Sequence, residues 1–200
     1  MHRPDSDPPD PRTVSATGDG RDHVDRVREQ WRQERPDIDT SPMEIVTRLG
    51  RVAAYFDQSI NDVLGRYGLA RSHWDVLASL RRAGPPYELS PTELYRGLMR
   101  SSGAMTNRLR RLEHAGLIRR VPDPGDGRGM LVQLTSRGRR LVDDVVAEHM
   151  ENERDLIEPL SPRERRELAA HLRKLARVFE QTSPTPPLAA VASRHRRHKR

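Results

Sequence analysis

The sequence predicts a mainly α-helical fold with a small β hairpin near the middle of the chain. Two observations support this fold class. Apolar residues recur at helical spacing over most of the chain, as do Met105, Leu109 and Leu112 near its centre. Between residues 117 and 134 the pattern changes: branched apolar residues flank a segment rich in Gly, Pro and Asp, which is typical of two strands joined by a turn.

The segment from Ser90 to Thr135 carries these features in the order helix, turn, helix and hairpin. Ser90 is a capping residue for the first helix and Ser101 for the second, because a serine hydroxyl accepts a hydrogen bond from an exposed N–H at a helix start. The hairpin comprises Leu117–Val121 and Met130–Leu134. This order predicts a winged helix-turn-helix, in which the second helix enters the major groove of DNA.

The second helix of this segment has an apolar face and a polar face. The polar face can donate hydrogen bonds to phosphates and base edges, and a glycine there permits close approach of the helix backbone. A solvated helix face has the same composition, but the hairpin directly behind the helix favours DNA. Arg128, near the hairpin tip, is placed to enter a minor groove or hold a phosphate, or it is an ordinary loop arginine. The predicted DNA-binding residues are Ser101, Ser102, Gly103, Thr106, Asn107, Arg110, Arg111 and Arg128.

The composition limits the classes of protein to which this chain can belong. Its 200 residues suffice for one domain with tails, and its formal net charge of +7 suits a polyanionic partner, although part of the excess lies in residues 194–200. The absence of cysteine excludes disulfides, thiolate metal sites and a cysteine redox switch. No apolar run approaches the ~18 residues of a membrane span, and residues 1–12 lack the apolar core of a signal peptide. We therefore expect a cytoplasmic protein that is nucleoid-associated when bound to DNA and has no membrane partner.

The N-terminal part of the chain predicts a tail followed by two helices. Residues 1–21 are rich in Pro, Asp, Gly, Ser and Thr, and we expect them to be disordered. A short helix from Asp22 to Arg35 follows, in which Trp31 is expected to be a packing anchor because a helix this short must dock to be stable. The next helix runs from Pro42 to about Arg66, with a long apolar stripe formed by Ile45, Leu49, Val52, Phe56, Ile60 and Val63.

Several helix starts are marked by a serine that precedes an acidic residue by three positions, which is the capping-box pattern. Ser72 and Asp75 fit this pattern and begin a helix that extends to about Arg82. Tyr87–Leu89 is a candidate short strand that pairs with the hairpin. The pattern also occurs, as Ser-Pro-x-Glu, at Ser41, Ser90 and Ser161.

Two helices follow the hairpin: one capped by Thr135 that runs to about Ile157, and a last one that starts at Ser161. Together with the long helix that starts at Pro42, they carry more apolar stripe than a small DNA-binding lobe can cover, so we predict a homodimer. A twofold dimer presents two recognition helices about one DNA turn apart, which matches a pseudo-palindromic operator. The predicted organisation is a domain at residues 22–181, with dimerisation helices at about 22–67 and 136–181 and a DNA-binding lobe at about 70–135, followed by a disordered basic tail at residues 182–200.

These features resemble the MarR family of bacterial repressors over roughly Asp22 to Phe179. The wing departs from the family pattern, since many members have Asp-Arg-Arg where this chain has Asp126-Gly-Arg128, and we therefore expect one basic wing contact to be missing. The segments that carry the resemblance are Trp74–Arg82, Ser90–Leu94, Ser101–Glu113, Gly116–Arg120 and Leu134–Gly138.

A closer resemblance is to the urate-responsive HucR/PecS-type subgroup of that family. The subgroup has an extra N-terminal helix with a tryptophan, an aspartate, an arginine in the recognition helix and an arginine in the wing strand. These are matched here by Trp31, Asp75, Arg108 and Arg120. The resemblance implies a MarR-like homodimer with an extra N-terminal helix that represses genes oriented divergently from its own. It also implies release from DNA by urate or a related purine such as xanthine, with these four residues as the effector site and no cofactor.

The residues themselves are compatible with such an effector. Arg108 lies beside the apolar edge of the recognition helix formed by Met105 and Leu112, where a guanidinium needs an anionic partner. Asp75 or an anionic ligand can provide it, and guanidinium groups beside an aromatic ring suit a flat anion. A different interpretation makes Asp75 a helix cap, Trp31 a packing residue and both arginines phosphate contacts.

Other functions have less support in the sequence. The histidines do not cluster with carboxylates at metal-ligand spacing, and there is no phosphate-binding glycine loop or nucleophile motif, so we predict no enzyme, no catalytic residue and no metal site. Two alternatives remain open. One is a MarR-type regulator that responds to a phenolic or antibiotic-like ligand, and the other is a ligand-independent DNA-binding protein that uses its basic tail.

Overall fold

The computed structural model describes residues 20–98, 102–126 and 129–182. These residues form helices and a small sheet in the predicted order, which confirms the mainly α-helical class with a β wing. Apart from residues 20, 21 and 182, the two predicted tails lie outside the described residues. The helices are α1 (His23–Glu34), α2 (Met43–Arg66), α3 (Arg71–Arg82), α4 (Pro91–Leu98), α5 (Ser102–His114), α6 (Ser136–Leu156) and α7 (Pro162–Thr182), and the strands are β1 (Glu88–Leu89), β2 (Ile118–Pro122) and β3 (Met130–Leu134).

The first of two compact units ends at Tyr55 and contains α1 and the N-terminal part of α2. Asp22 caps α1: its side chain accepts a hydrogen bond from Asp25 N, and the Asp25 side chain accepts one from Asp22 N. Arg48 of α2 joins this cap, with Nε 2.7 Å from Asp22 Oδ2 and Nη2 2.7 Å from Asp25 Oδ1. The hydrogen bond from Arg48 is the main reason that the pKa of Asp22 lies well below its usual range. Charged contacts therefore hold the start of α1 against α2.

Val24, and not Trp31, is the buried residue of α1. Val24 is fully buried, whereas Trp31 is 46% exposed in the single chain. The prediction that Trp31 is a packing anchor is therefore wrong for the chain on its own. The helix docks through its charged cap and through the ion pair of Arg28 with Glu44, so it does not depend on burial of the indole.

The second compact unit begins at Phe56 and contains one apolar core. α3 is central to it, because Leu77 and Leu80 are fully buried and the helix contacts α4, α5, α6 and β3. The apolar stripe predicted for the recognition helix belongs to the same core. Its residues Met105, Leu109 and Leu112 are all buried.

The sheet has three antiparallel strands in the order β1-β3-β2. β2 and β3 form the predicted hairpin, in which Ile118 pairs with Leu134. β1 lies along the other edge of β3, since Leu89 pairs with Val132 and the carbonyl of Tyr87 accepts a hydrogen bond from Leu134 N. The short strand predicted beside the hairpin is thus confirmed.

The capping boxes predicted from Ser-Pro-x-Glu form before α4 and α7 but not before α2. At Ser90 the hydroxyl accepts a hydrogen bond from Glu93 N at 3.1 Å, and the glutamate accepts one from Ser90 N at 2.7 Å. The same pair of bonds forms at Ser161. Before α2, the hydroxyl of Ser41 instead donates to Asp39 Oδ2 at 2.9 Å, because that carboxylate is closer along the turn.

Thr135 and Gly138 join the hairpin to α6. Thr135 Oγ1 accepts a hydrogen bond from Gly138 N at 3.0 Å, which confirms the predicted cap, and it donates to the carbonyl of Gly116 at 2.8 Å. Gly138 packs so closely on the residue before β2 that a Cβ there would lie 2.1 Å from the carbonyl oxygen of Leu117. The base of the wing is therefore packed directly on the first turn of α6.

Each unit leaves large apolar side chains exposed on its helices. In the first unit most of them lie on α2, and in the second most lie on α6 and α7. Their positions agree with the prediction that these helices carry more apolar surface than the single chain covers. The exposed residues include Ile45, Leu49 and Val52 in the first unit and Met150, Leu168, Leu172 and Leu175 in the second.

Candidate DNA interface and effector site

α5, the helix predicted to read DNA, presents the expected polar face. Because its apolar stripe lies in the core, the residues between those apolar positions are turned outward. They offer hydroxyl, amide and guanidinium groups, which can donate to phosphates and to base edges. The predicted contacts that are exposed on this face are Thr106, Asn107, Arg110 and Arg111.

Two of these side chains are already joined in the free protein. Arg110 Nη2 donates to Asn107 Oδ1 at 2.9 Å. The Asn107 amide is therefore oriented by the guanidinium of a residue about one turn later on the helix. An amide oriented in this way is ready to meet a base edge, since fewer rotamers must be given up on binding. Of the other predicted contacts, Ser102 and Gly103 lie in the first turn of α5, whereas Ser101 and Arg128 lie outside the described residues.

The neighbouring wing arginines Arg119 and Arg120 have different partners, because successive side chains of a strand point to opposite faces. On one face, Arg119 Nε donates to Gln133 Oε1 at 2.8 Å, and Gln133 Nε2 donates to Glu88 Oε2 at 3.0 Å. This row of polar side chains crosses all three strands, since Gln133 pairs with both Glu88 and Arg119 in the sheet register.

On the other face of β2, Arg120 reaches back to the recognition helix. Arg120 Nε lies 3.3 Å from Oε2 of Glu113, which is in the last turn of α5. Both side chains are partly exposed. The predicted effector residue Arg120 is therefore bound to a carboxylate of the DNA-reading helix.

Asp75 pairs with Arg71 one turn earlier on α3, with Arg71 Nε 3.5 Å from Asp75 Oδ1. α3 begins at Arg71 with Ala70 at its cap position and no side-chain cap, so the capping box predicted for Ser72 and Asp75 is wrong. Arg71 Nη1 is buried and donates no hydrogen bond to any described residue, although Asp57 Oδ1 lies 3.6 Å away. An unsatisfied buried donor is costly, so the start of α3 favours an additional acceptor.

Arg108 is partly buried, as predicted for the edge of α5. Its charge affects His73 of α3. The pKa of His73 is lowered mainly by burial and further by the charges of Arg108 and Arg111. Among the residues that the structure describes, no carboxylate forms an ion pair with Arg108. Asp75, which we expected as its partner, is paired with Arg71 instead.

The predicted effector residues thus occupy different local settings. Trp31 belongs to the first unit, and the other three belong to the second. Within the described ranges, no hydrogen bond or ion pair joins Asp75, Arg108 and Arg120 to one another. Asp75 lies beside Arg71, Arg108 lies near His73, and Arg120 lies beside Glu113.

Three charged residues at this site were not predicted from the sequence: Arg71, Glu113 and Arg119. The pair of Arg71 with Asp75 could have been found, because residues four apart on a helix face one another. No periodic signal marks Glu113 and Arg120, which are brought together by the turn between α5 and β2.

The described residues contain no candidate metal site. Throughout residues 20–98, 102–126 and 129–182, no group of His, Asp and Glu side chains is arranged to hold a metal ion. The helices of the same ranges include none with both the length and the apolar character needed to cross a bilayer. What the site offers is a set of exposed donors and positive charges, which suits a polyanion.

Known proteins that are similar to this chain are regulators of transcription. A model of the MarR family matches residues 67–129. The HTH-type transcriptional regulator PecS of Dickeya dadantii is 44% identical over 149 residues, which cover 74% of this chain and 90% of PecS. The multiple antibiotic resistance protein MarR of Salmonella typhimurium is 39% identical over 82 residues, which cover 41% of this chain and 55% of that protein.

Solved structures extend the comparison. A mutant MarR from E. coli in complex with operator DNA aligns with a TM-score of 0.60 and 28% identity, covering 68% of this chain and 99% of that one. Sco3205 from Streptomyces coelicolor, in complex with DNA, has a TM-score of 0.65 at 23% identity over 76% of this chain and 96% of its own, a likeness that shows the fold. The predicted winged-helix fold is confirmed, as is the prediction of a DNA-binding regulator and not an enzyme. The chain belongs to the MarR family of DNA-binding transcriptional regulators.

Proposed function

We propose that this protein is a homodimeric repressor that binds a pseudo-palindromic operator and leaves it when urate or a related purine binds. The observation that carries the proposal is the position of Arg108 on α5 and Arg120 on β2. An anion held by either guanidinium acts directly on an element that meets DNA in this fold. The similarity to PecS over most of both chains supports a regulatory role.

The proposed effector site consists of Trp31, Asp75, Arg108 and Arg120. Urate is a flat anion with several hydrogen-bonding groups, and guanidinium groups bind planar anions through paired hydrogen bonds. The half-exposed indole of Trp31 is available for stacking on such a ring. Asp75 opposes the incoming negative charge, and this repulsion is the proposed source of the conformational change.

A ligand shifts an equilibrium only by its difference in affinity for the two states. Urate therefore releases DNA if it binds more tightly to an arrangement in which α5 and the wing no longer match the operator. Arg108 and Arg120 supply that difference in the proposal, because moving either side chain toward the ligand moves α5 or β2.

The proposed DNA contacts come from the outward face of α5 and from the wing. Asn107 is suited to a base edge, because an amide can donate to and accept from adenine at once. Arg110 and Arg111 are suited to phosphates, which give affinity and register without sequence preference. Ser101, Ser102, Gly103, Thr106 and Arg128 complete the set. A DNA partner implies that the protein works in the cytoplasm, at the nucleoid.

The proposed dimer is supported by the apolar side chains that the single chain leaves exposed on α2, α6 and α7. Leu168, Leu172 and Leu175 repeat at steps of four and three residues on α7, so they lie on one face. A second copy that covers this face would bury it and set two α5 helices at the spacing of a twofold operator.

A phenolic or antibiotic-like effector is the competing proposal, and the matched segment of the multiple antibiotic resistance protein MarR supports it. The two effectors differ chemically, since a phenolic ligand presents fewer hydrogen-bonding groups to Arg108 and Arg120 than urate does. Competition between salicylate and urate in a thermal-shift assay distinguishes them.

The decisive experiment is a gel shift on the DNA upstream of the gene that encodes this protein, with urate titrated into the complex. Specific binding that weakens with urate is the expected result. Tight binding that is indifferent to urate but released by salicylate would favour the phenolic effector. Binding without preference for this DNA, lost mainly with salt, would favour a ligand-independent DNA-binding protein.

A further inference from the structure

The contact between Glu113 and Arg120 links the two DNA-reading elements of this fold. Glu113 is the residue before the last in α5, and Arg120 is the third residue of β2. The two residues lie on either side of the short turn that joins α5 to β2, and Leu112, Leu117 and Ile118 beside it are buried. A change in the 3.3 Å contact between Arg120 Nε and Glu113 Oε2 therefore acts on the angle between recognition helix and wing.

Glu113 also has a particular electrostatic position. A carboxylate in the last turn of a helix is unfavourable, because the partial charge at the helix C-terminus is negative. Arg120 is the residue whose guanidinium offsets this charge. If another anion binds Arg120, Glu113 loses its ion-pair partner and lies beside both the helix end and the new negative charge.

The other arginine of β2 does not replace Arg120. Its neighbour Arg119 lies on the opposite face of β2 and donates to Gln133. The carboxylate of Glu88 belongs to that other face, where it accepts from Gln133. Among the described residues, Glu113 is thus the carboxylate that contacts Arg120.

We infer that Glu113 is a positioning residue of the effector response, which competes with the effector anion for Arg120. This inference rests on the proposed function, in which Arg120 binds urate. In the ligand-free protein, Glu113 holds Arg120 and keeps the wing against α5. When urate binds Arg120, the Glu113 carboxylate loses its partner and is repelled by the ligand. The end of α5 then moves away from the wing. Because the pair is partly exposed, it is weak enough for a small anion to displace.

The test compares Glu113→Gln with Glu88→Gln in the full-length protein. Each change removes one negative charge from a side chain near the wing sheet, but only Glu113 contacts Arg120. Urate affinity is measured by calorimetry, and operator affinity is measured by fluorescence anisotropy with and without urate. We expect Glu113→Gln to bind urate roughly 2- to 5-fold more tightly, as for the loss of a partly exposed ion pair that competes with the ligand. The weakening of operator binding by urate should shrink, whereas Glu88→Gln should match the wild type.

A double-mutant comparison separates competition from a general charge effect. In an Arg120→Gln background, Glu113→Gln should raise urate affinity less than it does in the wild type, because only the repulsion between Glu113 and urate is then relieved. Glu113→Asp, which keeps the charge but withdraws the carboxylate by one methylene, should fall between wild type and Glu113→Gln and serves if the amide variant does not fold. This inference would be overturned, and the proposed function would stand, if Glu113→Gln bound urate with wild-type affinity and urate released it from the operator as fully as the wild type. No urate binding to the wild type would overturn the proposed function and this inference with it.

Discussion

Arg71 and Asp75 form an ion pair one turn apart on α3, with Arg71 Nε 3.5 Å from Asp75 Oδ1. Asp75 is therefore part of a charged group and not an isolated carboxylate. Nη1 of the same guanidinium is buried and lies 3.6 Å from Asp57 Oδ1, so Arg71 stands between two carboxylates. An effector anion that approaches Asp75 would meet repulsion from the carboxylate and attraction from the guanidinium.

Replacing Asp75 with Asn should uncouple effector binding from DNA release, because the charge that opposes the anion is removed. We expect Asp75→Asn to bind operator DNA normally but to need at least about tenfold more urate for half-release. Fluorescence anisotropy on labelled operator measures both quantities. Asp57→Asn, which neutralises the other carboxylate near Arg71, is the control. If Asp75→Ala or Arg108→Ala keeps the wild-type response to urate, the proposed mechanism is wrong.

Replacing Arg111 with Ala should weaken binding to operator and to unrelated DNA by similar factors, because a phosphate contact carries no sequence information. The slope of log affinity against log salt should fall by about 1. Arg163→Ala removes an equal charge from α7, where Arg163 pairs with Glu167, and should change neither quantity. A loss confined to the operator sequence would instead assign Arg111 to a base edge.

Replacing Leu172 with Glu should give a monomer, because it puts a charge into the apolar face proposed for dimerisation. Light scattering after gel filtration should report half the wild-type mass, and operator affinity should fall at least about tenfold as the two half-sites are no longer bound together. Ala170→Glu introduces the same charge about half a helical turn away on α7 and is the control. A wild-type dimer in Leu172→Glu would place the dimer interface elsewhere.

Replacing Gly138 with Ala should destabilise the fold, because the new Cβ would stand 2.1 Å from the carbonyl oxygen of Leu117. We expect a loss of roughly 3 kcal/mol in the free energy of unfolding. Gly50→Ala is the matched control: it lies in the interior of α2 with nothing within 4 Å of the added Cβ, and it should stabilise the fold by ~0.5–1 kcal/mol. Urea unfolding followed by circular dichroism measures both, and equal stabilities would contradict the packing described at the base of the wing.

Acidification should destabilise the protein partly through His73. Its pKa is lowered in the folded protein by burial and by the charges of Arg108 and Arg111, so the unfolded chain binds a proton more readily. The stability that the neutral imidazole contributes is complete above the ordinary value of 6.5 and is lost as the pH falls below it toward the lowered pKa. His73→Gln should therefore lose less melting temperature than the wild type between about pH 7.5 and pH 5.5. His171→Gln, on the exposed surface of α7, should behave like the wild type.

The fold was largely predictable because its signals are local. The buried stripe of α5, the hairpin and the extra strand β1 follow from spacing and turn composition within a few residues. The capping pattern fits Ser41 and Ser72, but neither forms the predicted box. Asp39 accepts the hydroxyl of Ser41, and α3 begins at Arg71, so Ser72 lies inside the helix and not at its cap. The prediction that Trp31 is a packing anchor was wrong for a different reason, since its helix is held by charged contacts and not by the indole.

The sequence by itself determined where the helices lie, which face of α5 is polar, and to which family the resemblance points, because these depend on the period and identity of neighbouring residues. Only the tertiary structure decided which residues distant from one another come into contact. Glu113 contacts Arg120, Arg119 donates to Gln133, and Gly138 packs against Leu117. Such contacts depend on the turn between α5 and β2, on strand register and on the packing of α6 against the wing, and no periodic pattern records those distances.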